Sequence, residues 1–370
     1  MSPRQLRQHL LVIVIALLGM GVVAVYSSSA MVSEATYGGS LRFLTNHLVG
    51  IACGLVLGAG CLMIPYADLR RSSRWLLLVS VLCLVLVDLF GQEVGGAKRW
   101  FRIGRWGLQP SAFAQLSLIL YLADLLARKV ERIQDFRRGL LPPLLATGMM
   151  AGLVLVQPDL GTTIAMGAVA LLLLFVAGAR WRHLAAVVGL AVVVLVLLIA
   201  GEAYRRRRIL AFLDPWGDPL GSGYQIIQSY LSLASGGLFG AGVGASLQKL
   251  FFLPNAHTDF IFAIIGEELG LVGTTAVISL FALFLACGFR IAVAAHDPFS
   301  KYLVCGLVGM IGLEMVINIA VVTGLVPTKG LPLPLISYGG SSMVINLIAC
   351  ALIVRASQHG ERLVERALGR

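Results

Sequence analysis

Long apolar stretches alternate with short polar ones along the whole chain, and ten of them could each form a membrane-crossing helix: about 10–29, 46–64, 75–90, 111–127, 140–156, 159–178, 183–200, 264–289, 301–323 and 340–355. Crossing ~30 Å of hydrocarbon takes about 20 helical residues, somewhat fewer with polar flanks. The runs lack the two-residue alternation of barrel strands, and backbone polar groups in lipid must be satisfied internally. The pattern therefore predicts an all-α integral membrane protein, a single polytopic domain over 1–370 with ten transmembrane helices. A large outer loop, 201–258, separates helices seven and eight. The first run follows Arg4 and Arg7 and continues past signal-peptide length with no small-residue cleavage site, so it reads as a retained span.

The polar segments set an orientation. With the N-terminus inside, the larger share of the 29 Lys and Arg falls in cytoplasmic segments, including Arg70, Arg71 and Arg74, Arg128 to Arg138, Arg180 and Arg182, and Arg355 to Arg370. Apart from Arg42, the outer cations gather in three places: Lys98, Arg99, Arg102 and Arg105; Arg205 to Arg208 with Lys249; and Lys329. Topology alone disfavours them there, which suggests anion binding, while anchoring to lipid headgroups is the other reading. Interleaved Trp100, Phe101 and Trp106 suit an interfacial loop that grips phosphates.

Chemistry concentrates where the large loop meets the eighth run, at Leu253-Pro254-Asn255-Ala256-His257-Thr258-Asp259-Phe260. A carboxylate and an imidazole are delivered to the lip of an apolar helix, a placement that is costly unless used. Asp259 reads either as a catalytic base or, with Thr258, as the N-cap of that helix. If the helix starts near Thr258, Gly266 falls on the face of Asp259 and leaves room above it. Glu267 and Glu268 lie ~12 Å deeper, where ionised groups need partners, and read as glue to other helices, as does Glu314. Asp159, following Pro158, reads as a plain N-cap. Pro327, Pro332 and Pro334 break any helix over 324–339, which should dip back as protein-buried irregular backbone with Lys329 near a cavity. The glycines of 235–244 invite a nucleotide-loop reading, but no strand precedes them and no Gly-Lys-Ser/Thr follows. They suit tight turns and close approach to a bulky ligand instead.

Composition sharpens this picture. The chain is 58% hydrophobic and 13% charged, about half the charge of a soluble domain. The net charge of +11 is spread between apolar runs rather than along one face, which points to topology and anionic lipid substrates and away from nucleic acid. All six cysteines lie inside apolar runs without metal-ligand spacing, so neither disulfides nor zinc are expected.

Together the motifs Gly96-Ala97-Lys98-Arg99-Trp100, Gln109-Pro110-Ser111, Gln157-Pro158-Asp159-Leu160-Gly161, Phe212-Leu213-Asp214-Pro215-Trp216, Gly223-Tyr224-Gln225, Gln248-Lys249, His257 to Ala263 and Pro327-Thr328-Lys329-Gly330 to Ser342 resemble the SEDS family (shape, elongation, division and sporulation), over nearly the whole chain. The Pro-Thr-Lys-Gly and Asp-Pro-Trp forms are similar to its division branch. The resemblance implies a ten-helix glycosyltransferase of the bacterial plasma membrane that polymerises lipid II, an undecaprenyl-diphosphate-linked precursor, into peptidoglycan. It further implies cytoplasmic termini, a septal location, and work with a class B penicillin-binding transpeptidase and other divisome membrane proteins. The family's essential aspartate falls on Asp259. Lys98, Arg99, Arg102, Arg205, Arg208, Lys249, His257, Thr258, Lys329 and Ser337 are the candidate substrate-binding residues, alone or with a divalent cation. Four positions depart from the family pattern: Ala112 and Gln115 replace its Glu and Lys, Asn255 replaces a Glu, and Ala234 a Gly. With Gln115, an ion pair between that position and Asp159 is lost. A lipid II flippase and a non-catalytic scaffold for the transpeptidase remain the alternative readings.

Overall fold

A computed structural model describes residues 2–94, 97–103 and 106–367. Arg105 and Arg370 lie outside the described residues, as do the side chains of Arg362 and Arg366.

The apolar runs form helices: α1 (Pro3–Tyr37), α2 (Arg42–Met63), α3 (Tyr66–Phe90), α4 (Pro110–Arg128), α5 (Leu141–Val156), α6 (Leu160–Val176), α7 (Trp181–Gly201), α10 (Ile261–Val293), α11 (Pro298–Val322) and α12 (Gly340–Ala367). Among the described residues, 9 helices are long and apolar enough to cross a membrane; α6, with 17 residues, is the shorter apolar helix beside them. Most helices outrun their apolar stretch. For α3 the reason is visible: its first turns carry Asp68 and Arg70, which lower the local hydropathy, while Tyr66, Leu69 and Ser73 face inward.

Helices α4 and α11 are the most enclosed, with α3, α5, α6, α10 and α12 around them. The buried residues of α2 (His47, Gly50, Gly54, Gly58) fall at i, i+3 and i+4 spacing on one face, its glycines against α12, and α1 packs on α10. No residue of α7 is buried. Its all-round apolar surface suits a helix facing lipid.

Two features correct the expected all-α plan with a plain outer loop. Residues after α3 form a small antiparallel sheet, β1 (Gln92–Val94), β2 (Ala97–Ile103) and β3 (Trp106–Leu108), in the order β1-β2-β3. The segment expected as the large loop contains α8 (Ala203–Leu213) and α9 (Tyr224–Gly236), the latter packed on α10.

Helix α10 is broken within its first third, at Gly270. Gly270 has φ 65°, ψ −158°, and a side chain there would strike the backbone of Leu238 and Gly240. Only glycine takes that conformation readily. The 237–242 strand of chain threads the break: Ala241 and Gly242 N–H donate to the carbonyls of Glu267 and Glu268, while Leu271 and Val272 N–H donate to Gly237 and Leu238. The glycine-rich stretch thus serves close approach to α10. Broken helices survive in a membrane when another part of the protein satisfies the freed backbone groups.

Candidate functional site

The chain enters α10 through a turn centred on Asn255. Its φ is 56°, a left-handed conformation that Asn tolerates far better than Glu, which gives a local reason for Asn at this position. The Asn255 carbonyl accepts from the N–H groups of Thr258, Asp259 and Phe260. Helix α10 then starts at Ile261, with Phe260 at the N-cap and no side-chain cap bond. The N-cap alternative for Asp259 and Thr258 is corrected accordingly: the Asp259 carboxyl is free for other work.

The residue facing that carboxyl is not Gly266, whose absent side chain makes room for Leu233 of α9. It is Gly330, where a Cβ would sit 3.1 Å from the nearer Asp259 carboxylate oxygen. The correction follows from the later helix start, which removes the register assumed from sequence. Gly330 belongs to the non-helical 323–339 segment, whose 331–337 part is mostly buried. Ser337 fastens this segment to the Asp259 turn by donating to the Thr258 carbonyl (2.5 Å) and accepting from Leu333 N–H, and Tyr338 N–H donates to the His257 carbonyl. The Ser337 hydroxyl, expected among the substrate ligands, is thus engaged in fastening the two segments.

One cation acts on Asp259, and a second stands one residue before Gly330, the residue that faces the carboxyl. Arg208 of α8 donates to the Thr328 carbonyl (2.9 Å), and its charge acts on the Asp259 carboxyl. Lys329 follows in the next position, between Asp159 and Arg208. Burial pushes the Asp259 carboxyl up to about 6, with the Arg208 charge and a hydrogen bond with Thr258 pulling more weakly the other way. Burial brings Lys329 down to about 8; Asp159 opposes this and Arg208 adds to it. His257 is lowered to about 4 by burial and packs its ring on Phe43 and Tyr338 (centroids 4.7 and 5.7 Å), so at neutral pH it is an uncharged wall beside the carboxyl.

The other expected ligands are placed elsewhere or committed to structural bonds. Arg99 of β2 donates to the carbonyls of Gln157 and Pro158 (both 2.7 Å), buttressing the turn that presents Asp159. Arg205 donates to the Leu198 carbonyl and Arg206 to Ala200, satisfying carbonyls at the end of α7 that a helix terminus leaves orphaned. Lys98 and Arg102 stand exposed on β2. Lys249 is buried and pairs with Glu268 (2.8 Å) and Ser27, so it is not available to a substrate. Glu267 accepts from Ser232, Ser246 and Leu247 N–H, tying the 246–248 turn to α10. Asp159 caps α6 through Thr162 N–H (3.0 Å) and the Thr162 hydroxyl (2.8 Å). Among the described residues no cluster of three His, Cys, Asp or Glu could hold a metal ion.

Gln115 is buried on α4, with Glu314 of α11 near its side chain. A lysine there would find a carboxylate partner already in place. Gln115→Lys is therefore expected to fold and to retain at least wild-type activity, checked by yield of monodisperse protein and by a polymerisation assay.

A bundle of apolar helices, with a carboxylate and an arginine that acts on it where the polar chain enters α10, defines a multi-pass membrane protein. The profile of the cell cycle protein family of FtsW, RodA and SpoVE matches residues 8–362. The chain is 41% identical over 350 residues, 94% of its length and 93% of the relative's, to a probable peptidoglycan glycosyltransferase FtsW of Geobacter metallireducens. It is 39% identical over 352 residues, covering 95% and 96%, to stage V sporulation protein E of Bacillus subtilis. Among solved structures, rod shape determining protein RodA of Thermus thermophilus superposes with a TM-score of 0.70 at 29% identity, covering 95% of this chain and 96% of that one. A chain of a peptidoglycan synthase complex that coordinates polymerization and crosslinking does so with 0.77 at 32%, covering 95% and 97%. This chain belongs to the FtsW/RodA/SpoVE family.

Proposed function

We propose that the protein is a peptidoglycan glycosyltransferase that polymerises lipid II at the outer face of the bacterial plasma membrane during cell division, in partnership with a class B penicillin-binding transpeptidase. The observation that carries this reading is the Asp259 carboxyl, raised by burial to about 6, with the Arg208 charge acting on it and Gly330, the neighbour of Lys329, against it. Ten spans with both termini cytoplasmic put residues 201–258 and 324–339 outside, where lipid-linked sugars present their headgroups, and the positive-inside bias supports this orientation.

The site then works as follows. Asp259 takes the proton from the acceptor's sugar hydroxyl as that oxygen attacks the anomeric carbon of the donor. The bond from that carbon to the lipid diphosphate breaks, and the diphosphate leaves with its electron pair and an added negative charge. Arg208 and Lys329 stabilise that charge where it develops. Both substrates keep their tails in the bilayer.

Two ionisations with opposite requirements make kcat/KM bell-shaped in pH. It rises as pH passes about 6, where Asp259 becomes a competent base, and falls as pH passes about 8, where Lys329 loses its charge. Glycan synthesis measured from pH 5 to 9 checks this; a profile without the acid limb tells against Asp259 as the base.

The function itself is tested by incubating the purified protein and its cognate transpeptidase with labelled lipid II. Glycan ladders support polymerisation. Transfer of lipid II between vesicle leaflets without ladders supports the flippase reading, and neither activity supports a scaffold.

A further inference from the structure

Asn318 lies within α11, one turn from its C-terminal end, and is 1% exposed. Its side-chain amide donates to two backbone carbonyls at once: Asp259 (2.8 Å) and Leu331 (2.7 Å). These belong to the two segments that build the site. One carries the carboxyl on the turn into α10; the other follows Lys329 and Gly330 directly.

Little else fixes these segments against each other. The 323–339 segment has no helix or strand, and three prolines remove backbone donors from it. Its fastenings to the Asp259 turn are the Ser337 hydroxyl and the Tyr338 N–H, on the far side of Pro332 and Pro334 from Lys329. On the Lys329 side the joint is Asn318. Helix α11 is among the most enclosed elements of the bundle, so the amide is presented from a rigid base. A carboxylate and a cation that must meet the same diphosphate sugar need their separation fixed, because small misplacements cost large factors in rate.

We propose that Asn318 is a positioning residue, whose amide clamps the Asp259 turn to the Lys329–Leu331 segment and so sets the distance between base and cation. This rests on the glycosyltransferase reading above.

The test replaces Asn318 in the full-length protein together with its transpeptidase. Asn318→Asp keeps the shape and removes both donated bonds; Asn318→Ala removes the side chain. For both, kcat for glycan synthesis is expected to fall about ten- to a hundredfold, with KM changed by less than about threefold. A second readout does not depend on activity: the pH dependence of Lys329 acylation by acetic anhydride, followed by mass spectrometry. In the wild type Lys329 titrates near 8, with Asp159 and Arg208 facing it. With the clamp released, water reaches the amine and its titration is expected to move up toward the ordinary lysine range. Should neither variant accumulate, Asn318→Ser keeps one donor and is read in the same two assays, with smaller shifts. Unchanged kcat with an unchanged Lys329 titration overturns the proposal, and so does reduced thermal stability with kcat intact. If Asp259→Asn remains a polymerase, the base assignment falls, while the Lys329 titration still reports on the clamp.

Discussion

Asp259→Asn is expected to abolish glycan polymerisation to within a few parts per thousand of wild type while leaving expression, thermal stability and transpeptidase binding in place. Asn matches Asp in size, and the Asp259 side chain makes no cap bond to α10 that the protein would lose. The turn is held by backbone bonds to Asn255 and by the Asn318 amide on the Asp259 carbonyl, and these survive the substitution. What disappears is the proton acceptor, a contribution of about 10²- to 10⁴-fold. Burial already makes the charged carboxylate costly here, which is why the group sits near 6. Removing the charge therefore relieves the protein rather than straining it, and the variant should be no less stable than wild type near pH 7. The measurement is ladder formation from labelled lipid II beside a melting curve in detergent. Near-normal ladders rule out Asp259 as the base. Lost ladders with a collapsed melting curve give it a structural role instead.

Much of this site could be read from the chain, because membrane solvation makes ionisable residues conspicuous. Asp259 stands at the junction of a polar loop and an apolar run, and Lys329 sits in a proline-broken segment that cannot be a helix. In the structure the charge of Arg208 acts on each of them. Which of four consecutive arginines faces the site was hidden, since helical geometry spreads Arg205 to Arg208 around α8 and only the structure shows where α8 lies. Asn318 was missed because it lies inside an otherwise apolar stretch, 301–323, where averaging over the run conceals a single amide. The available signal was the cost of burying that amide without a partner, the same argument that singled out Glu314.

The sheet was also within reach. In β2, Lys98 and Arg102 are exposed while Ala97 is buried and Arg99 and Phe101 are partly so, but the strands are short and interrupted by glycines, which disguises the alternation. The break in α10 was less accessible. One glycine inside 264–289 is unremarkable in a membrane helix, and its consequence depends on the 237–242 segment reaching it from outside the run. That break also decides the fate of Lys249. With Gly242 and Ala241 bound to the carbonyls of Glu268 and Glu267, the following turn is drawn against α10 and its lysine is buried.

Lys249→Met is expected to destabilise the protein by about 3–5 kcal/mol, the cost of leaving a buried charge without its partner. Lys249 and Glu268 are 7% and 6% exposed at their side chains and bonded at 2.8 Å. Without the ammonium, Glu268 keeps the Ser27 hydroxyl (2.5 Å) but has no opposite charge. The double variant Lys249→Met, Glu268→Leu removes both charges and fills similar volume, and exchanging a buried pair for apolar groups is often neutral or stabilising. It should therefore recover most of the loss, giving a large coupling energy in a double-mutant cycle of melting in detergent. Function separates the two roles open to Lys249. A lysine that holds substrate diphosphate leaves the double variant stable but inactive. A lysine that holds the 246–249 turn against the broken helix leaves it stable and still forming glycan strands. The geometry predicts the second outcome, because the ammonium is buried and already bonded to Glu268 and Ser27.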